Sequence, residues 1–227
     1  MKKLLIPFTA LSPLFATDCE PIFYEIWRNH TWQGESFSGT GSDLPPTARI
    51  REEIPKLLQK YGCRTMVDAP CGDFHWMRFV DLPVDQYIGA DVVLQIVQLN
   101  QIFFTDEQRS FMHLDITRDP VPKADLILCR DCLVHLSFDD IARAIHLFKL
   151  SGSKYLLTTS FCIDHETQND PIGTGGWRPL NLQLPPFNFP EPVEILNEGY
   201  PVEGWMDKSL FLWRLEDLPD LAADPLP

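Results

Sequence analysis

Between Gly62 and Phe161 the chain alternates short apolar strands with helical stretches, and this rhythm restricts the available folds more than any other feature. "TMVDA" (65–69), "YIGADV" (87–92), "SFMHLDI" (110–116), "ADLILC" (124–129) and "KYLLTTSF" (154–161) read as strands. Helical patterns fall near 74–80, over 93–103 and from Ser137 or Phe138 to Leu150. Another helix precedes the series: Ile50, Ile54, Leu57 and Leu58 recur at three- and four-residue intervals between Thr47 and Tyr61, and Gly62 stops it. Short apolar strands joined by helices predict an α/β, doubly wound, mostly parallel sheet with helices on both faces. Two later candidates, "VEILNEG" (193–199) and "SLFLWRL" (209–215), bring the expected sheet to seven strands.

At 227 residues the chain has enough length for one well-buried domain. The expected division is an N-terminal arm and lid segment over 1–44, the α/β domain over 45–216, and an acidic, Pro-rich frayed tail over 217–227. The formal net charge of −13, with no Lys/Arg run, argues against a nucleic-acid partner. Six scattered cysteines, with one CxxC at Cys129 and Cys132 and no second pair, read as reduced core thiols and not as a metal site. The opening "MKKLLIPFTALSPLFATDCEP" imitates a secretory signal, but Pro7 and Pro13 interrupt it and a clean cleavage site is missing. It is also too short to span a membrane, so the expectation is a cytoplasmic protein whose apolar arm packs on the domain.

The stretch "VDAPCGDFHWM" (67–77) has the outline of a strand, a glycine turn and a helix. In open parallel sheets ligands collect at the carboxyl ends of the strands. Gly72 would let a ligand approach the backbone, and Asp73 would cap the following helix. Asp91 ends the second strand 23 residues after Asp68, the spacing of a ribose-hydroxyl acceptor. Asp115 closes the third. Any one of these carboxylates would serve equally as a cap; three on neighbouring strand ends point to a ligand.

These residues resemble the class I S-adenosylmethionine (SAM)-dependent methyltransferases, a Rossmann-like fold, over about 62 to 161. "VDAPCGDF" is similar to the first motif of that family, "YIGADV" to the second, "HLDI" to the third, and "DLILCRDCLVHLS" to the segment after the fourth strand. The resemblance implies SAM as cofactor. Asp68 and Gly72 would then face its methionine end and Asp91 would bind both ribose hydroxyls, with Pro70 and Val92 also among the cofactor-binding residues. Asp115 would meet the adenine amino group, Ile116 the adenine ring, and Cys129 and Arg130 the methionyl part. Pro70 and Phe74 stand where the family usually has glycine. A wider likeness, in "WQGESFSGTGS" and "GGWRPLNLQLPPFNFP", is to a bacterial subgroup associated with glycan or small-molecule modification.

The expected activity is methyl transfer to a small-molecule or sugar hydroxyl, or to a carboxylate. A hydroxyl needs a base. His135 is the candidate, with Asp131 as second choice or as its orienting partner; packing at the start of the following helix is the competing role. His165, with Glu166 and Asp170, is a weaker alternative, as base or magnesium site. Trp177, Arg178 and Asn181, in "TGGWRPLN", would read the acceptor by stacking, charge and hydrogen bonding; Trp177 would otherwise plug a small core. "GESFSGTGS" (34–42) is either a lid over the cofactor or a loose linker. The alternatives to a methyltransferase are a NAD-type Rossmann oxidoreductase and a non-catalytic SAM- or nucleotide-binding module.

Overall fold

The computed structural model describes residues 18–161, 168–199 and 207–221. Seven strands form one sheet: β1 (Thr65–Asp68), β2 (Gln86–Asp91), β3 (Arg109–His113), β4 (Leu126–Cys129), β5 (Tyr155–Ser160), β6 (Glu194–Asn197) and β7 (Ser209–Arg214). Their spatial order is β3-β2-β1-β4-β5-β7-β6. The first five are parallel, while β7 runs antiparallel to both β5 and β6. All seven strands expected from the sequence are present, with trimmed ends. The third strand stops at His113, so Asp115 lies in the turn beyond it.

Four helices are described: α1 (Cys19–Arg28), α2 (Ala48–Lys60), α3 (Leu94–Phe104) and α4 (Phe138–Leu150). On one face of the sheet, Ile50, Ile54, Leu57 and Leu58 of α2 pack with Met66, Tyr87, Leu126, Leu128 and Leu212. On the other, Ile141, Ala144, Ile145 and Phe148 of α4 pack with Val67, Ile127, Leu156 and Trp213. β4 is buried along its whole length, as a strand covered on both faces must be. Ser137 caps α4 by accepting the Asp140 N–H at 3.2 Å. Gly62, at φ +64°, ends α2 and lets the Cys63 N–H reach the Leu58 carbonyl.

The helix expected at 74–80 does not form; a single 3-10 turn, Met77–Phe79, stands in its place. Gly72 and Phe74 both have positive φ, +54° and +56°, which breaks a helical path. Packing holds Phe74 there. Its ring lies against Tyr87, Phe104 and Phe111 at centroid separations of 5.4, 5.2 and 5.1 Å. The tail is packed further than expected: Leu218 and Leu221 are buried in the core on the α4 side. Among the described residues no helix is long and apolar enough to cross a membrane.

Candidate functional site

A cavity opens where β1, β2 and β4 reach their carboxyl ends, and the parallel register places the acidic side chains together there. Asp68, Asp91 and Asp115 all line it, with Pro70, Gly72, Val92, Ile116 and Arg130. Burial raises the pKa of all three carboxyls: Asp68 to about 7, although the Tyr87 hydroxyl donates to it at 2.7 Å, and Asp91 to about 6. The Gly72 and Val93 N–H groups donate to the two Asp91 oxygens at 3.0 and 2.9 Å. A carboxylate has about four acceptor directions, so Asp91 keeps capacity for a ligand. Asp115 Oδ1 accepts from the Thr117 N–H and hydroxyl at 2.8 and 2.7 Å. Cys129 is fully buried in the core instead, and Cys132 lines the cavity. All five described cysteines are buried.

Residues 34–43 form an anchored strap and not a loose linker. Asp43 Oδ1 accepts from the Glu35 and Ser36 N–H groups. Asp73, expected to cap a helix, instead accepts from the Ser36 hydroxyl, the Phe37 N–H and the Ser38 hydroxyl at 2.8, 2.8 and 3.3 Å. The close approach that Gly72 permits is therefore made by the protein itself: a Cβ there would lie 2.1 Å from Ser38 Oγ. Trp27 of α1 and Trp32, Phe37, Ser38 and Ser42 cover the cavity. Gly72→Ala is expected to cost about 1–3 kcal/mol through its positive φ and to unseat the strap. Limited proteolysis should then cut within 33–43 faster than in the parent chain; a parent-like cleavage pattern would count against the latch.

A second recess, about 370 Å³, adjoins the cavity and is lined by Thr40, Phe161, Trp177 and Lys208, among others. Trp32, Ser38, Asp131 and His135 border both spaces. His135 Nδ1 lies 2.7 Å from the Gly176 carbonyl oxygen. A carbonyl only accepts, so Nδ1 carries the proton and Nε2 is left as a proton acceptor. Burial also lowers the His135 pKa, keeping the ring neutral at pH 7. Its face stacks on Trp32 at 4.6 Å. The Gly175 N–H donates to the His135 carbonyl and the Arg178 N–H to that of Val134, which locks the 175–178 segment to this turn.

Asp131 does not have the properties of a base. Lys208 lies 2.6 Å and Arg130 3.2 Å from its Oδ2, and these cations hold its pKa down to about 2 despite burial. It also does not orient His135, since the Gly176 carbonyl does. Arg130 and Lys208 both meet buried Glu198, at 2.7 and 3.3 Å. Glu198 and Lys208 were not singled out in the sequence. Of the expected acceptor-binding residues, only Trp177 lines the recess. Arg178 is buried, donates to the Leu136 carbonyl and sits 5.1 Å over the Phe138 ring. Asn181 shapes a turn: its Oδ1 accepts from the Gln183 N–H. His165 and Glu166 lie outside the described residues, which hold no His, Cys, Asp and Glu grouping suited to a metal.

No protein-family model matches the sequence, and comparison with curated proteins finds no match. Among solved structures, human N-acetylserotonin methyltransferase in complex with SAM superposes with a TM-score of 0.51 at 13% identity, over 86% of this chain and 64% of that one. Magnesium protoporphyrin IX methyltransferase of Synechocystis, with bound SAM, gives a TM-score of 0.46 at 15% identity over 67% of this chain and 82% of that one, too low to support an argument. The similarity to the human enzyme, together with the strand order, gives the chain the fold of the class I SAM-dependent methyltransferases.

Proposed function

We propose that the protein is a SAM-dependent methyltransferase acting on a small-molecule or sugar hydroxyl, or on a carboxylate. The observation that carries this reading is the cavity itself: three carboxylates, two at strand ends and Asp115 in the turn after β3, line one space with His135, and His135 also borders the adjoining recess. Residues 45–216 would carry the chemistry, with 1–44 as arm and lid. The residues suit the cofactor in their donor chemistry. Asp91 would accept the ribose hydroxyls and Asp115 the adenine amino group, with Ile116 against the ring and Val92 beside it. Asp68, Pro70, Gly72 and Arg130 would border the methionyl end.

When bound, SAM supplies a methyl group, leaving the S–C electron pair on sulfur while the acceptor oxygen forms the new bond. His135 Nε2 takes the proton of an acceptor hydroxyl. Gly176 holds the imidazole tautomer, and Trp32, stacked on the ring, fixes its plane and excludes water. The −13 charge argues against nucleic acid, and a cytoplasmic location fits the absence of a membrane-spanning helix among the described residues. The NAD alternative is weakened by the sheet, whose antiparallel β7 lies between β5 and β6, unlike the 3-2-1-4-5-6 order of dinucleotide enzymes.

Calorimetry with S-adenosylhomocysteine (SAH), with NAD as comparison, tests the reading; binding of NAD and not SAH would overturn it. The pH dependence adds a second test. Asp68 and Asp91 hold protons up to about 7 and 6 in the folded chain, whereas the unfolded chain releases them near pH 4. Their contribution therefore favours the folded state at low pH and is lost as pH rises through 6 and 7. Ligand groups that donate to the ionised carboxylates oppose that loss. SAH affinity is thus expected to rise between pH 5.5 and 8, approximate limits set by those two pKa values, with protons released on binding. A flat profile in calorimetry would detach these two groups from the ligand.

A further inference from the structure

Resting on the methyltransferase reading and narrowing it, we propose that the acceptor is an uncharged, hydroxyl-bearing ring, a neutral sugar, seated in the recess against Trp177. The recess volume of about 370 Å³ falls in the range of small-molecule sites. The two charged side chains that line it, Asp131 and Lys208, are paired with each other, and Glu198 and Arg130 lie directly behind them. Lys208 lies 2.6 Å from Asp131 and 3.3 Å from Glu198, and Arg130 lies 2.7 Å from Glu198 and 3.2 Å from Asp131. A carboxylate or phosphate entering the recess would have to compete with Asp131 and Glu198 for Lys208. It would also approach a chain of net charge −13.

The walls narrow the class further. Trp177 is 41% exposed and meets Phe161 edge to face, at 85°. The lining also holds hydrogen-bonding groups, the Ser38 and Thr40 hydroxyls and the backbone of 39–41. A flat phenol would gain most from a sandwich between two aromatic faces, but Trp32 already stacks on His135 at 4.6 Å. An exposed indole and several hydrogen-bonding groups in one lining suit a ring with C–H groups on its face and hydroxyls around its rim. His135 supports the same choice: Nε2 is a proton acceptor, which a hydroxyl needs and a carboxylate does not.

The test uses the full chain saturated with SAH and three probe sets: methyl glycosides of neutral hexoses, the corresponding uronates, and simple phenols. Binding is read by saturation-transfer NMR and competition. At least one neutral glycoside is expected to bind, with its ring protons saturated, and its uronate to bind at least tenfold more weakly. Trp177→Ala should weaken the glycoside at least tenfold while leaving the SAH affinity unchanged, and Trp177→Phe should recover part of the loss. Uronates or phenols that bind as well as the neutral sugars, an SAH-bound protein that takes none of the glycosides, or a Trp177→Ala variant with parent-like glycoside affinity would overturn the proposal. Failure of SAH itself to bind would instead remove the methyltransferase reading on which it rests.

Discussion

Glu198→Ala is expected to destabilise the protein by about 3–5 kcal/mol, because it leaves buried cations without their shared anion. Glu198 is 1% exposed and takes Arg130 Nε and an Arg130 terminal nitrogen at 3.1 and 2.7 Å, with Lys208 Nζ at 3.3 Å. Arg130 and Lys208 would then lose a buried partner in a space where both side chains are almost fully enclosed. Typical domains have only about 5–15 kcal/mol of stability, so the loss should be plain in a urea melt. Arg130 also donates to the Gly41 carbonyl, at the end of the strap, and lines the cavity. The variant should therefore loosen SAH binding as well as the fold. Glu198→Gln, which keeps an acceptor and the shape, should fall between. A change below about 1 kcal/mol for the alanine variant would mean that the ion group is of the weak, solvated kind.

The second large effect concerns the ligand. Asp91→Ala should weaken SAH at least tenfold, about 1.4 kcal/mol, through loss of a hydroxyl acceptor. It also strips acceptors from the Gly72 and Val93 N–H groups, so the melting transition has to be followed in parallel. Asp91→Asn keeps one acceptor oxygen and is expected to retain more of the fold than of the affinity. Unchanged SAH affinity in a folded Asp91→Ala protein would discard the ribose assignment.

The strand-end carboxylates were readable because each depends on local sequence: a short apolar strand, then an acid. Parallel pairing of neighbouring strands does the rest. The turn after β1 was not readable in the same way. The path of Phe74 is set by Tyr87, Phe104 and Phe111, which come from β2, α3 and β3. The ion group is assembled from Arg130 and Glu198, 68 residues apart, and from Asp131 and Lys208, 77 apart. No spacing rule reaches that far. Arg178 and Asn181 had suitable chemistry but the wrong direction. Trp177 lines the recess while its neighbour Arg178 is buried over Phe138.

The position of β7 has a consequence for how the molecule is made. The last strand in sequence lies inside the sheet, between β5 and β6. A nascent chain that has left the ribosome only as far as Asn197 has β6 without a neighbour to pair with and the flank of β5 exposed. Both wait for Ser209–Arg214. Translation products that end early therefore present an unpaired apolar edge, the kind of surface that recruits other chains and that chaperones shield.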